Sequence, residues 1–360
     1  MDELYIGVMS GTSLDGVDVV LCEINNATCK LISSFEYPFD ADLKVEILES
    51  ISGFTTLEKV GILDNKLGEL FGEAINSFVQ KEQIDTKKIT AIGLHGQTLW
   101  HKPNGENPFS MQLGNPNVVV VKTDIQVVTD FRRMDIANGG QGAPFAPAFH
   151  QFLFKKLGKN VAVVNIGGMA NITLLGEQLK GWDTGMGNVL MDYWIQTAQN
   201  KSYDRNGEFA KQGKVDKTLL NSFLEDEYFK KNAPKSTGRE YFNPNWLAQH
   251  MSIFQTLSDA DIQRTLLEFT AQTIAQDIQK THVNLVIVCG GGAKNGFLIE
   301  RLEKLCKIEV KKSDDFGASG DFLEAMAFAW LAYKRVHREK VNLSSVTGAK
   351  KDSILGGIYG

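Results

Sequence analysis

The chain has 360 residues, 43% of them hydrophobic, and a formal net charge of −5. This length suffices to bury two hydrophobic cores, so two domains are the default expectation. The negative charge without a basic block argues against a nucleic-acid partner, and no run reaches the roughly 18 apolar residues of a membrane helix. The four cysteines show no CxxC spacing and a strand is predicted from Leu4, so we expect reduced thiols and a cytoplasmic location.

The first predicted element is a β-hairpin whose turn is rich in Gly, Ser, Thr and Asp. Hydrophobic runs at Tyr5–Met9 and Val17–Leu21 are typical of strands, and the turn between them contains SGTSLDG. Glycines permit positive φ and close approach to a ligand, while free backbone N–H groups suit an anionic oxygen. The turn therefore predicts a phosphate loop, with an ordinary glycine-rich hairpin as the alternative. The residues expected to bind nucleotide are Gly11, Thr12, Ser13, Leu14, Asp15, Gly16, Val17 and Asp18.

A long amphipathic helix and further strands follow in the first half. Apolar residues recur at steps of three and four from Leu57 to Gln83, which predicts a helix packed on the first sheet. Ile89–Leu94 is typical of a buried strand, and Val118–Asp130 is predicted to contain more strand. Ligand groups collect at strand ends in open α/β sheets. We therefore expect Gln97 and Thr98 to hydrogen-bond a substrate, with capping of the strand end as the alternative.

A glycine-rich segment separates the two halves. It reads NGGQGAP at 138–144, and its glycines can absorb dihedral changes, which makes it a hinge candidate or else a rigid substrate loop. Arg132 lies shortly before it. A guanidinium fork suits both carboxylate and phosphate, so we expect Arg132 to contact the substrate. The sequence alone leaves open whether Arg133 has that role instead or forms an internal salt bridge.

Two further glycine elements occur in the second half. Val161–Leu175 repeats the plan of the first hairpin and carries a Gly-Gly turn, as a duplicated fold would require. Val286–Cys289 is a predicted strand that runs into three glycines before a helix predicted at 295–305. Bare backbone at a helix start suits an anion or a planar ring. The three glycine elements together suggest a nucleotide cleft between two domains. The residues expected to bind nucleotide here are Gly167, Gly168, Gly290, Gly291 and Gly292.

Asp183 is the candidate catalytic residue. It lies in GWDTGMGN at 181–188, after the second hairpin, where glycines on both sides let a substrate approach closely. A carboxylate near the acceptor of a phosphoryl group can act as general base. The alternative for an Asp followed by Thr and Gly is a turn residue that bonds its own backbone.

Three helices are predicted around and after this motif. They cover 189–198, a stretch that starts at a Ser258 cap with Asp261 three residues on, and Ser319 to about His337. Glu324 stands near the start of the last helix. It is expected to reach the substrate, although an acidic residue in a first turn often only stabilises the helix dipole.

The chain resembles the anhydro-N-acetylmuramic acid kinases, a family of the actin and hexokinase superfamily of ATPases and sugar kinases. The motifs that carry the resemblance are MSGTSLDGVD, GLHGQT, DFRRMDIANGGQGAPFAPAFH, NIGGMANIT, GWDTGMGN, KSTGREYF and CGGGAKN. The resemblance as a whole extends from Ile6 to beyond Glu324, nearly the whole chain. One departure is Met186, where the family usually has Pro. This difference affects the expected rigidity of the loop after Asp183, but it leaves the assignment of Asp183 to the motif unchanged.

The resemblance implies an α/β fold of two duplicated RNase H-like domains with an ATP and sugar cleft between them. Residues 1–137, completed by a C-terminal helix at about 319–360, would form the first domain, and residues 138–318 the second. It further implies ATP and Mg²⁺ as cofactors and a homodimer, with Asp15 orienting Mg²⁺ through water or only capping the turn. The sequence itself leaves open the oligomeric state, the exact Mg²⁺ ligands and the anomeric stereochemistry.

The implied activity is unusual because a 1,6-anhydro sugar has no free 6-hydroxyl. Asp183 would deprotonate a water that attacks the anomeric carbon of 1,6-anhydro-N-acetylmuramic acid, while the departing O6 takes the γ-phosphoryl group of ATP. This reaction would serve cell-wall recycling. Two alternatives remain at this point: a conventional sugar kinase of the same fold, and a nucleotide-switched structural ATPase of the actin type.

Overall fold

The computed structural model describes residues 2–11, 14, 16–53, 55–158, 160–176, 179–233, 235–252 and 256–360. The chain divides into two compact units, one comprising Met1–Leu153 with Phe322–Gly360 and the other Phe154–Asp321. No helix in these ranges combines the length and the apolarity that a membrane span requires.

The first unit is built on a mixed sheet. Its strands, numbered along the chain, are β1 (Glu3–Ser10), β2 (Gly16–Ile24), β3 (Cys29–Pro38), β4 (Ile89–Leu94), β5 (Gln97–Lys102), β6 (Phe109–Leu113), β7 (Val127–Thr129) and β13 (Gly357–Tyr359). The order in the main sheet is β13-β7-β4-β1-β2-β3, and β5 and β6 form a separate ribbon. β1, β2 and β3 pair antiparallel, whereas β4 lies parallel to β1 and β7 parallel to β4.

The helices of the first unit include the long one that apolar periodicity predicted. They are α1 (Ala41–Ile51), α2 (Leu57–Glu82), α3 (Pro116–Thr123), α4 (Phe131–Ala137), α5 (Ala146–Phe154), α11 (Leu323–Val336) and α12 (Ser344–Thr347). The predicted helix from Leu57 is confirmed. The Thr56 hydroxyl accepts the Lys59 N–H at its start, and Gln83 ends it with a φ of +54°.

The strand expected within Val118–Asp130 is only partly correct. Val127–Thr129 is β7, but the preceding valines belong to α3. Asn115 caps α3, with its side chain accepting the Asn117 N–H at 3.0 Å, and Pro116 occupies the first turn. These helix-start signals outweigh the β propensity of the valine run.

Glycines in the central strands let α11 lie directly on the first sheet. A Cβ at Gly7 of β1 would overlap the carbonyl oxygen of Ala325, and one at Gly93 of β4 would overlap that of Phe328. The helix backbone therefore approaches the sheet more closely than any side chain would allow. This contact places α11 in the first unit.

The second unit repeats the strand order of the first. Its strands are β8 (Val161–Ile166), β9 (Met169–Leu175), β10 (Lys180–Met186), β11 (Leu285–Cys289) and β12 (Glu309–Lys312), in the order β10-β9-β8-β11-β12. β8, β9 and β10 pair antiparallel, whereas β11 lies parallel to β8 and β12 parallel to β11. Both units thus show the third-second-first-fourth-fifth order of an RNase H-like sheet, which confirms the predicted α/β duplication.

The helices of the second unit include the three that the sequence predicted there, at 189–198, after Ser258 and at 295–305. They are α6 (Val189–Gln199), α7 (Lys217–Leu224), α8 (Pro244–Met251), α9 (Asp259–Gln279) and α10 (Gly296–Cys306). α9 begins at the predicted Ser258 cap, whose side chain accepts the Asp261 N–H at 3.2 Å. α6 follows β10 directly and therefore lies next to the Asp183 motif.

The boundary between the units lies at 153/154 and not at the predicted 137/138. α5 packs on α11, with the rings of Phe149 and Phe152 centred 5.6 and 5.5 Å from Trp330. The buried Asp135 carboxylate accepts the Gly142 N–H at 2.7 Å and the Thr347 hydroxyl at 2.9 Å. These contacts hold residues 138–153 in the first unit, so the glycine-rich hinge candidate lies inside that unit. The return to it begins at 322 and not at the predicted 319.

Candidate active site

The described residues of the first glycine turn offer backbone more than side chains. Three of its predicted nucleotide-binding residues lie outside the described part of the chain: Thr12, Ser13 and Asp15. Leu14 is 1% exposed with a φ of +56°, and Val17 is fully buried, so both side chains belong to the core. Gly11, Gly16 and Asp18 are partly exposed. Any ligand contact from Leu14 or Val17 would therefore come from their backbone.

The second glycine turn is tied to the turn that follows β10. The carbonyl of Gly167 accepts the Asn188 N–H at 2.8 Å, and that of Gly168 accepts the Gly187 N–H at 2.9 Å. A Cβ at Gly187 would overlap the Gly167 carbonyl oxygen, so the two turns meet backbone to backbone. A Cβ at Gly168 would lie 3.4 Å from the guanidinium of Arg239. The hairpin turn thus has a positive charge beside it.

The third glycine element has two packing glycines and one that faces open space. A Cβ at Gly290, whose φ is +79°, would collide with the Asn165 side chain, and one at Gly292 would collide with Ile166. At Gly291 the nearest atom would be Asn188 Nδ2, 3.7 Å away. Only Gly291 therefore has room beside it.

A cavity of about 470 Å³ lies within the second unit and is lined by Gly291 and Gly292. This volume is within the range of small-molecule sites. Tyr203, 59% exposed, and Lys294 also line it. Asp192 is a further lining residue, and burial raises the pKa of its carboxyl to about 6 despite the opposing charge of Arg239. The cavity therefore combines bare backbone, an aromatic ring and charges of both signs.

Asp183 lies in β10, opposite Asn171 of β9, immediately before a bulge. Gly185 in the bulge has a φ of +137°, a conformation that favours glycine. The Asp183 Oδ2 accepts the Ser236 hydroxyl and the Thr237 N–H, both at 3.0 Å. Burial raises the pKa of this carboxyl, the two hydrogen bonds lower it, and nearby Glu240 raises it, with a net rise above its ordinary value. An Asp with a raised pKa is a better proton acceptor than an exposed one.

Met186, the departure from the family motif, is fully buried in the core of the second unit. It ends β10 and pairs with Met169. The position is thus held by strand pairing and packing, which supply order where the family has the ring of Pro.

Arg132 is the centre of a polar cluster in the first unit. It lies in α4, and its guanidinium donates to His95 Nε2 at 2.8 Å and to the Gly142 carbonyl at 2.8 Å. Burial, and then the Arg132 charge, lower the pKa of His95 to about 3, so its ring is neutral and accepts these bonds. Burial lowers the pKa of Arg132 to about 10, while Glu324 opposes that change. The structure therefore brings Arg132, His95 and Glu324 to one place.

The structure distinguishes the two neighbouring arginines. Arg133 is exposed and pairs with Asp130 at 3.4 Å across one helical turn. The charge of Arg132 instead interacts with that of Glu324. Desolvation by the surrounding protein raises the pKa of the Glu324 carboxyl, and the Arg132 guanidinium lowers it in part. The Glu324 side chain itself is accessible to solvent, in the first turn of α11. Arg132 is thus the stronger candidate for substrate contact.

The two polar residues at the start of β5 differ in accessibility. Gln97 is 1% exposed, and its amide oxygen accepts a bond from the Ser10 hydroxyl. Thr98 is partly exposed, and its hydroxyl accepts a bond from Gln112 at 3.2 Å. The buried Gln97 side chain therefore stabilises the end of β1 by its bond to Ser10, whereas the Thr98 side chain is accessible to solvent.

Sequence reasoning missed the segment 235–237, which the structure brings to Asp183, and the cavity residues Asp192, Tyr203 and Lys294. The first of these lies in KSTGREYF, one of the motifs that carry the family resemblance, but no pattern in the sequence connects it to Asp183. In the described ranges, no group of three or more His, Cys, Asp or Glu side chains could hold a metal ion.

The fold is that of a duplicated RNase H-like protein, because both units share one strand order and glycine turns follow β1, β8 and β11.

A family model described as anhydro-N-acetylmuramic acid kinase matches residues 3–360. Curated proteins of that name are similar to the chain throughout. That of Sulfurimonas denitrificans is 55% identical over 100% of both chains, that of Sulfurovum sp. 56% over 99% of each, and that of Vibrio vulnificus 47% over 99% of this chain and 98% of the relative. The chain belongs to the anhydro-N-acetylmuramic acid kinase family.

Proposed function

We propose that this protein is an ATP-dependent kinase that opens the anhydro ring of 1,6-anhydro-N-acetylmuramic acid with water and phosphorylates O6. The products are N-acetylmuramic acid 6-phosphate and ADP, and the reaction serves the recycling of cell-wall peptidoglycan. The observation that carries this proposal is the match to the family over residues 3–360. The partly buried, hydrogen-bonded carboxylate of Asp183 supplies the chemistry that such a reaction needs.

Asp183 acts as the general base. It takes a proton from water, and the water oxygen forms a bond to the anomeric carbon as the bond from that carbon to O6 breaks. O6 forms a bond to the γ-phosphorus of ATP, and ADP leaves. Inverting hydrolysis requires a base on the water side and an acid at the leaving oxygen, and here the phosphorus takes the place of the acid. The raised pKa of Asp183 supports this assignment.

The nucleotide is held by the glycine elements. Gly167 and Gly168 face the phosphates, and the adjoining guanidinium of Arg239 supports this role because phosphate oxygens favour nearby positive charge. Gly290, Gly291 and Gly292 form the adenosine side, and the 470 Å³ cavity lined by Gly291 and Gly292 supports this role. In the first unit the nucleotide-binding segment comprises Gly11, Thr12, Ser13, Leu14, Asp15, Gly16, Val17 and Asp18.

The sugar is bound by polar side chains of the first unit. Arg132 and Glu324 contact it directly, and their mutual electrostatic influence in a partly desolvated place supports this role. Thr98 donates or accepts a further hydrogen bond, and Gln97 supports it from beneath.

The remaining expectations from the resemblance are part of the same proposal. Mg²⁺ is carried by the ATP phosphates, with Asp15 acting through water, which agrees with the preference of Mg²⁺ for substrate phosphates over all-protein cages. The enzyme acts in the cytoplasm, which contains ATP and keeps cysteines reduced, and it forms a homodimer. Light scattering of the purified protein measures the last of these directly.

The proposed activity is tested by measuring ADP release in three reactions. These contain no sugar, N-acetylmuramic acid, or its 1,6-anhydro form. We expect substantial release only with the anhydro sugar. Equal release with the free sugar would favour a conventional sugar kinase, and release without any sugar would favour a structural ATPase.

Gly291→Val is expected to weaken ATP binding because the new side chain occupies the open space beside the cavity. We expect the KM for ATP to rise by roughly 10- to 100-fold, the usual effect of a misfit of this size in a pocket. The kcat at saturating ATP and the KM for the sugar should change little.

Gly61→Val in α2 is the matched control, since a Cβ there meets nothing within 4 Å. It should leave the KM for ATP at its wild-type value. An unchanged KM in Gly291→Val would remove this cavity from the nucleotide site.

A further inference from the structure

The segment Lys235–Thr237 contacts Asp183 through both backbone and side chain. The Asp183 N–H donates to the Lys235 carbonyl at 2.9 Å. The Ser236 hydroxyl and the Thr237 N–H both donate to Asp183 Oδ2 at 3.0 Å. Three consecutive residues thus fix the backbone of one residue and the orientation of its carboxylate.

The buried ammonium of Lys235 anchors this segment. Its side chain is 5% exposed and its Nζ lies 4.0 Å from Asp277 Oδ2. The same Nζ lies 4.7 Å from the ring centroid of Tyr228, whose hydroxyl donates to the Asp183 carbonyl at 2.6 Å. Asp277 Oδ2 also accepts the indole N–H of Trp182 at 2.8 Å. The ammonium is therefore linked to β10 through Tyr228, which bonds Asp183, and through Asp277, which bonds Trp182.

The bonds to the carboxylate are unevenly distributed. Among the described residues, the hydrogen bonds to the Asp183 carboxylate all go to Oδ2. A carboxylate held by one oxygen presents the other in a fixed direction, and fixed direction is what a general base requires.

We propose that Ser236 is a positioning residue for Asp183, holding Oδ2 together with the Thr237 N–H so that Oδ1 takes the proton of the attacking water. This inference rests on the proposed function of Asp183 as general base. Ser236 acts through Asp183 and has no contact of its own with the reacting atoms.

The hydrogen bond from Ser236 also affects ionisation. It stabilises the charged carboxylate and so lowers the pKa of Asp183 against the effects of burial and of Glu240. The other ionisable groups packed around this residue are Lys235, Asp277 and Tyr228, and the charge of Asp183 contributes to a raised pKa of Tyr228. Loss of the Ser236 donor raises the pKa of Asp183 further, so less of the base is ionised at a given acidic pH. The acid limb of the rate profile then moves to higher pH.

The test compares Ser236→Ala with Ser236→Thr in the full-length protein. Ser236 is exposed, so neither change disturbs a packed core. We expect Ser236→Ala to lower kcat by about tenfold, as the loss of a hydrogen bond to a charged group does. The KM for ATP should stay unchanged and the acid limb of the kcat profile should move to higher pH. Ser236→Thr keeps the hydroxyl and should restore both kcat and the pH profile.

Ser252→Ala is the matched control, because among the residues that the structure describes the hydroxyl of that exposed serine bonds only the nearby Gln249 carbonyl, at 2.8 Å. A wild-type kcat and an unmoved acid limb in Ser236→Ala would overturn the positioning role, as would equal losses in the Ala and Thr variants. Asp183→Asn is assayed in parallel. If that variant keeps wild-type turnover, the proposed function of Asp183 fails, and this result is distinct from a failure of Ser236 alone.

Discussion

Asp183→Asn is expected to lower kcat on the anhydro sugar by about 10²- to 10⁴-fold, the usual contribution of a positioned general base. At about 1.4 kcal/mol for each tenfold, this corresponds to roughly 3 to 5 kcal/mol of barrier. Asn keeps an oxygen that can accept the bonds from Ser236 and Thr237, so the fold of this region should persist. ATP affinity, measured by calorimetry, should therefore stay near the wild-type value.

Asp226→Asn provides the matched control for this substitution. Asp226 accepts bonds from Tyr241 and Trp246 at 2.7 and 2.9 Å and has a structural role in the same unit. Its Asn variant should keep most of the turnover. If Asp183→Asn retains near wild-type kcat while the protein remains folded, Asp183 is not the base.

Gly168→Val is expected to lower kcat/KM for ATP by about 10²- to 10³-fold, similar to the loss of a donor that stabilises transferring charge. The new Cβ would start 3.4 Å from the Arg239 guanidinium, and its methyl groups would push that charge away from the hairpin. They would also occupy the space in which backbone N–H groups meet phosphate. Steady-state kinetics with ATP as the varied substrate measure the effect.

Circular dichroism separates this effect from unfolding. A Cβ at Gly168 would make ordinary contact with one flexible side chain, that of Arg239, and Gly168 has no positive φ, so the variant should melt near the wild-type temperature. Gly61→Val serves again as the control, since it adds the same side chain where nothing lies within 4 Å. Unchanged ATP affinity in a folded Gly168→Val protein would show that this turn does not hold the phosphates.

Sequence pattern predicted elements best where a long apolar periodicity, a continuous apolar run or a helix cap marked them. α2, β4 and the Ser258-capped α9 follow from such local signals. The valine run in α3 was misassigned because β-branched residues favour strands, whereas Asn115 and Pro116 start a helix there. Local propensity is a weak guide when a cap and tertiary packing oppose it.

The domain boundary was misplaced for a different reason. Glycines at 139, 140 and 142 indicated a hinge, but glycine also occurs where backbone packs tightly. A Cβ at Gly140 would overlap the Asp135 carboxylate, which places this segment firmly in the first unit. No local pattern in the sequence predicts that contact. The Asp135 carboxylate is also bonded to Thr347, which lies far away along the chain, so its position depends on the tertiary structure.

By itself, the sequence determined the duplicated α/β plan, the glycine turns, the candidate base Asp183 and the family. These depend on periodicity and on short motifs, which are local properties of the chain. Only the tertiary structure decided which distant residues meet. It brought Ser236 to Asp183, Arg132 to His95 and Glu324, and Asp192, Tyr203 and Lys294 to one cavity. Hydrogen bonds and charges between residues so far apart depend on how sheets and helices pack, and no local pattern encodes that geometry.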